Sequence, residues 1–167
     1  KAENMVKLPV IVYNRKSQED VFISAVSLRR KLELEAVQGQ KNGGKYIRPI
    51  VLFQAQPKNN ADSTTYEKIK HTLMEMGIPE SEIAIKTADK DELKNIDLSS
   101  SDCNIRYIIT INALKEGWDC PFAYILATVA NRTSSIDVEQ ILGRILRLPN
   151  TKKNESEVLN LSYVITS

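Results

Sequence analysis

Apolar residues fall along the chain in two alternating rhythms. Short continuous runs occur at Lys7–Tyr13 (KLPVIVY), Ile47–Gln54 (IRPIVLFQ), Glu82–Lys86, Arg106–Ile111 (RYIITI), Tyr124–Val129 (YILATV) and Val158–Ile165. Their length and content of branched and aromatic residues predict buried strands. Pro9 makes the first an edge strand or a lead-in linker. Between the runs, apolar positions recur at three- and four-residue spacing. Val21, Ala25, Leu28, Leu32 and Ala36 predict a helix over Gln18–Gln38, and Tyr66, Ile69, Leu73 and Met76 predict one over Thr65–Met76. Asp62, Ser63 or Thr64 is placed to cap the second helix and Gly77 to end it. A short helix is expected over Asp89–Asn95, a Ser- and Asp-rich loop over Leu98–Asn104 and a polar loop over Asn150–Glu157.

Ser134–Leu148, SSIDVEQILGRILRL, predicts a further helix with two opposed faces. Val138, Ile141, Ile145 and Leu148 form an apolar stripe; Gln140, Arg144 and Arg147 form the opposite one, with Gly143 beside them. Ser134 or Ser135 can cap it, and Asp137 and Glu139 place negative charge in its first turn. Two guanidinium groups held in fixed geometry suit phosphate oxygens, because each fork donates two parallel hydrogen bonds.

Strands that alternate with helices imply an α/β fold with a mainly parallel sheet and helices on both faces. In such sheets ligands bind in the loops at the carboxyl ends of strands. Those segments are Gln54–Asn59, Asn112–Pro121 and Ala130–Ser135. The second reads NALKEGWDCP: Gly117 permits close backbone approach, Asp119 is a carboxylate acceptor at a strand end, and Pro121 stiffens the exit.

Composition narrows the function classes. The 167 residues suit one domain, and the net charge of +2 means that any nucleic-acid surface must be local. Cys103 and Cys120 lack metal or redox spacing and read as reduced thiols of a cytoplasmic protein. No apolar run is long enough to span a membrane, so no membrane partner is expected. The chain starts at Lys1 without a methionine and is expected to be a piece of a longer protein. His71, the one histidine, has no accompanying acid or nucleophile pattern and is expected to face solvent.

Two apparent nucleotide motifs fail on chemistry. Gly39, Gly44 and Lys45 match the letters of a phosphate loop, but Tyr46 replaces the Ser or Thr that holds magnesium, and a helix precedes the loop where a strand should. Asp91-Glu92 resembles an acidic magnesium-binding pair in letters only, because it is expected in a polar helix rather than at the end of an apolar strand.

Two segments together resemble the second RecA-like domain of superfamily-two helicases and translocases. Gly117, Asp119 and Pro121 match the Gly-x-Asp-x-Pro of motif five, and Gln140, Gly143, Arg144 and Arg147 match the Gln-x-x-Gly-Arg-x-x-Arg of motif six. EGWDCP followed by QILGRILRLP is most similar to the Res subunit of type III restriction endonucleases; IRPIVLFQAQ and LNLSYVITS fit its motif-four and final strands. The chain departs from many helicases at Ile111, Asn112 and Glu116, in the approach to motif five.

The resemblance implies that residues 1–44 are a strand or linker and a helix leading into a helicase C-terminal domain over 45–167. It implies an ATP-dependent DNA helicase or translocase whose ATP and Mg2+ are held mainly by a first RecA-like domain. Arg147 then resembles the arginine finger on the γ-phosphate and Arg144 its partner, while Gln140 positions these groups or a water. Asp119 accepts from the ribose or orients the arginines, Gly117 lets the backbone pass the interdomain cleft, and Gly143 lies beside the arginines. Trp118 is expected in the core or at the domain interface. By position and polarity, Gln56, Lys58, Lys115, Asn131 and Arg132 are candidates to contact nucleic acid. Double-stranded DNA and a modification (methyltransferase) subunit are the implied partners. The alternative is a non-catalytic α/β nucleic-acid-binding or scaffold module that keeps the helicase fold.

Overall fold

The structure is a computed structural model that describes residues 10–55, 65–87, 90–111, 120–129 and 156–166. Its centre is a six-stranded sheet in the order β1-β6-β5-β2-β4-β3, with every pair of neighbouring strands parallel. The strands are β1 (Val10–Asn14), β2 (Ile50–Gln54), β3 (Ile83–Lys86), β4 (Tyr107–Thr110), β5 (Ala123–Thr128) and β6 (Ser162–Thr166). Two helices accompany them among the described residues: α1 (Gln18–Lys41) and α2 (Tyr66–Glu75). The α/β class with a mainly parallel sheet, expected from the alternation of patterns, is what the structure has, and it is consistent with the RecA-like arrangement.

Burial follows the sequence rhythm. β4 and β5 are buried at every position, as parallel strands covered on both faces must be. β1, at the edge, alternates between exposed and half-buried positions, which settles the first apolar run as an edge strand. Along α1, Val21, Phe22, Ala25, Val26, Leu32 and Ala36 face the core, and Phe22 stacks on Phe53 of β2 with ring centroids 5.2 Å apart. Leu28, expected on this stripe, is only half-buried; Arg29 occupies the buried position next to it.

Several expected boundaries move, each for a physical reason. α1 continues through Gly39 to Lys41. The Gly44 amide then bonds the Gly39 carbonyl at 2.8 Å, and a side chain at Gly44 would meet that same oxygen. β2 begins at Ile50 rather than Ile47, because the preceding residues serve Arg48. Its guanidinium donates to the carbonyls of Leu98, Ser100 and Ile105 and to the Tyr46 hydroxyl. The helix α2 is capped by Thr65, whose hydroxyl accepts from the Lys68 amide; Asp62, Ser63 and Thr64 lie outside the described residues. Gly77 ends α2 as expected, with φ of +92°. The final strand starts at Ser162, after a 3-10 turn at Glu157–Asn160 that buries Leu159.

The short helix expected over Asp89–Asn95 is not there. Asp91 forms an isolated antiparallel bridge with Lys86, and Glu92 bonds Ile85 twice. The Glu92 carboxylate accepts from the Ile85 amide at 2.8 Å, and its amide donates to the Ile85 carbonyl at 2.9 Å. The segment folds back on the free edge of β3 and satisfies backbone groups that an edge strand otherwise leaves open.

Candidate functional site at the carboxyl edge of the sheet

The residues expected to carry the chemistry lie outside the described residues. This holds for Gln140, Gly143, Arg144 and Arg147, for Lys115, Gly117 and Asp119, and for Gln56, Lys58, Asn131 and Arg132. The described residues locate the points from which these segments leave the sheet.

All three departures are from one edge. Residues 56–64 follow Ala55 at the end of β2, 112–119 follow Ile111 at the end of β4, and 130–155 follow Val129 at the end of β5. Gln54 pairs in register with Thr110 of β4 on one side and Thr128 of β5 on the other. Neighbouring strands are about 4.8 Å apart, so the two motif-bearing segments start about 10 Å apart, flanking β2. The Ala55 amide donates to the Thr110 carbonyl at 2.7 Å, and the Val129 amide to the Gln54 carbonyl at 3.2 Å. After β2 the chain crosses toward β3; after β5 it crosses the opposite way, to β6. The gap between β2 and β5 is therefore a topological switch point, the place where open parallel sheets bind ligands.

The last strand positions make a polar row along this edge. Lys86, Thr110, Gln54 and Thr128 are consecutive register partners, and Thr166 pairs with Asn14 at the far end. Phe53 meets α1, so the alternation of side chains turns Gln54, and with it Thr110 and Thr128, to the opposite face of the sheet. Thr110 is 0% exposed. Its hydroxyl oxygen and the side-chain oxygen of Gln54 are buried without a hydrogen-bond partner. Such atoms are uncommon in folded proteins, and they sit here at the base of the motif-bearing segments. The pattern of apolar runs that end in Gln or Thr carries this row, but nothing in it marks those residues as orphaned.

The amino edge of the sheet holds the charged clusters, and they are structural. Arg29 donates to the Tyr107 hydroxyl at 3.1 Å and to Glu33 at 2.7 Å; Arg106 donates to the same Glu33 oxygen at 2.9 Å. Burial pushes the Glu33 carboxyl up, but the hydrogen bonds from Arg29 and Arg106 outweigh it and hold the group below its ordinary value. The Arg48 guanidinium lies against both the Tyr46 and Phe122 rings, 5.8 and 5.7 Å from their centroids, while the rings themselves meet edge-on at 5.9 Å. These arginines tie α1 and the 98–106 loop to the starts of β2 and β4, at the end of the strands opposite the edge from which the motif segments depart; Pro121, which closes the Gly-x-Asp-x-Pro match, returns to this amino end just before Phe122.

The remaining candidates resolve plainly. The His71 side chain is 75% exposed and meets Glu75 across one turn of α2 at 3.2 Å. Gly39 lies in the last turn of α1 and Gly44 just beyond its cap, so the phosphate-loop letters sit at a helix carboxyl end. Asp91 and Glu92 are engaged with β3 rather than standing in a polar helix. Cys103 and Cys120 form no disulfide. No helix among the described residues is long and apolar enough to cross a membrane. Compared with known proteins, the sequence matches no family model and no curated protein.

Proposed function

We propose that this chain is the second motor domain of an ATP-dependent DNA translocase or helicase, of the kind found in the Res subunit of type III restriction endonucleases. The observation that carries the reading joins sequence to fold. The segment that ends in Gly-x-Asp-x-Pro leaves β4 at Ile111 and the Gln-x-x-Gly-Arg-x-x-Arg segment leaves β5 at Val129, on either side of β2 at the carboxyl edge of a parallel sheet. Pro121, the last residue of the first match, is already back at the amino end of β5, beside Phe122, so it is the shared edge of departure that supports the reading.

In this reading Arg144 and Arg147 donate paired hydrogen bonds to phosphate oxygens, and Gln140 orients them or a water. Asp119 accepts from a ribose hydroxyl or from the arginines. The chain offers guanidinium groups that fit a γ-phosphate but no phosphate-loop Ser or Thr for Mg2+, so ATP and Mg2+ are held mainly by a first RecA-like domain. Gln56, Lys58, Lys115, Asn131 and Arg132 face double-stranded DNA, a modification subunit supplies site recognition, and the protein works in the cytoplasm.

The test is DNA-stimulated ATP hydrolysis by the full-length protein. Arginine fingers are worth about 10³ to 10⁵ in rate, so Arg147→Ala should lower kcat by at least about 10³. Hydrolysis that survives both Arg144→Ala and Arg147→Ala unchanged refutes the assigned roles. A second reading, a non-catalytic nucleic-acid-binding or scaffold module on the same fold, is favoured by the absence of both magnesium-binding motifs from this sequence. It expects DNA binding without ATP hydrolysis in the full-length protein.

A further inference from the structure

The two outer strands of the sheet are finished differently. In β3 the Glu82 carbonyl accepts from Arg106 on the β4 side, so the backbones of Ile83, Ile85 and Thr87 point outward. All three outward amides are used within the chain. Ile83 donates to the Glu80 carbonyl, Ile85 to the Glu92 carboxylate at 2.8 Å, and Thr87 to the Lys90 carbonyl at 2.7 Å. In β1 the Arg15 amide donates to the Thr166 carbonyl at 2.7 Å, so Ile11, Tyr13 and Arg15 turn their backbones to β6. Val10, Val12 and Asn14 turn theirs away from the sheet, and no described residue pairs with them. Their side chains are exposed as well, Val10 by 40% and Val12 by 56%. The helix α1 packs chiefly over β5, β6 and β2 and leaves this edge clear. Val10–Asn14 has no charge, no proline and no bulge, the devices by which edge strands usually refuse a partner.

We propose that β1 is the edge through which two copies of this chain pair, antiparallel about a two-fold axis at Val12. The occupant follows from the strand's own symmetry. The outward residues are the first, third and fifth of five, so the strand maps onto itself when turned about the third. Val12 then stands opposite Val12 of the second copy as a hydrogen-bonded pair that exchanges both amides and carbonyls. Val10 and Asn14 stand opposite Asn14 and Val10 of the second copy in the same way. Every outward amide and carbonyl of the three residues finds a mate, with no overhang. On the other face, Ile11 meets Tyr13 of the second copy twice over, a branched–aromatic cross-strand pair of the stabilising kind. No like charges oppose each other within the strand. The pairing is isologous and closed, so it stops at two copies, because the sealed β3 edge offers no second site. It is independent of the motor reading.

The experiment uses the full-length protein and reads its association state by sedimentation velocity from about 1 to 200 μM, with amide hydrogen exchange at both ends of that range. An interface of one strand pair is small, so a reversible dimer with Kd of about 10–100 μM is expected. Exchange at Val10, Val12 and Asn14 should slow as the concentration rises, while exchange at Ile85 and Thr87 should not change. Val12→Lys and Val12→Glu each set like charges on the axis and should weaken the dimer about tenfold or more. Mixed in equal amounts they set opposite charges there, and the mixture should dimerise within about threefold of wild type. That rescue cannot come from misfolded variants, and Tm checks each one. A wild-type protein that stays monomeric to 200 μM overturns the proposal. So does a dimer that survives both substitutions, which would lie at another surface, and so does a mixture that fails to pair. Slow exchange at Val10, Val12 and Asn14 in a monomer at every concentration also overturns it, by assigning the edge to a segment of the same chain.

Discussion

Gln54 and Thr110 stand opposite each other in register at the carboxyl ends of β2 and β4, and the side-chain oxygen of each is buried without a hydrogen-bond partner. The arrangement costs stability. A buried polar atom left unpaired costs about 1–3 kcal/mol, whereas an apolar group of the same shape costs nothing there. Thr110→Val exchanges the hydroxyl for a methyl of nearly equal size on an unchanged β-branched frame. The variant should be more stable by about 1 kcal/mol, a rise in Tm of about 2–4 °C for a chain of this length. Thermal unfolding followed by circular dichroism reads the shift; a lower Tm would mean that the hydroxyl is bonded in solution.

How far the sequence spoke for itself depends on the range of the interaction. The strands were legible because parallel strands are short apolar runs whatever they touch, and the polar ends of β2, β4 and β5 are visible as Gln54, Thr110 and Thr128. The helix α1 was legible from its stripe. Arg48 and Glu92 were not, because each is used by a segment distant in space rather than by its neighbours in the chain: Arg48 by Leu98, Ser100 and Ile105, and Glu92 by the edge of β3. Local pattern therefore extended β2 through Arg48 and made a helix of Asp89–Asn95. The motif residues carry their signal in their letters, and the described residues supply only the edge from which those segments depart.

Arg48 is the most demanding side chain of the amino edge. It is 1% exposed and supplies donors to three backbone carbonyls. Arg48→Ala removes the donor from those carbonyls and empties the space beside the Tyr46–Phe122 pair. The expected loss is about 3 kcal/mol or more, among the largest for a single substitution in this chain. Urea unfolding measures it, and amide exchange should show faster opening of 98–105 than of β5. A loss under about 1 kcal/mol would show that the loop finds other donors.

Glu33 predicts a pH dependence with a definite sign. Its carboxyl is held below the ordinary value of 4.5 in the folded chain by Arg29 and Arg106 against the opposing effect of burial. A depressed carboxyl contributes stability that is complete above the unfolded value and declines as pH falls through the folded one. Glu33→Gln should therefore be less stable than wild type at pH 7, and the difference should narrow steadily below about pH 4.5. Unfolding free energies of the two proteins between pH 3 and 7 provide the comparison. A gap that stays constant across that range would place the loss in packing rather than in charge.

The isolated chain should not turn over ATP. The phosphate-loop letters Gly39, Gly44 and Lys45 end α1, where the helix presents carbonyl oxygens and a partial charge of about −0.5. A phosphate loop needs the opposite: amide groups and the positive end of a helix. Arg144 and Arg147 can stabilise charge on a phosphate but cannot hold magnesium, since a guanidinium carries donors only. Phosphate release by the purified 167-residue chain should stay at the background of buffer with or without DNA. Steady hydrolysis abolished by Arg147→Ala would mean that the chain builds a complete nucleotide site by itself. Hydrolysis abolished by substitution at Lys45 and indifferent to Arg147 would assign that site to the end of α1.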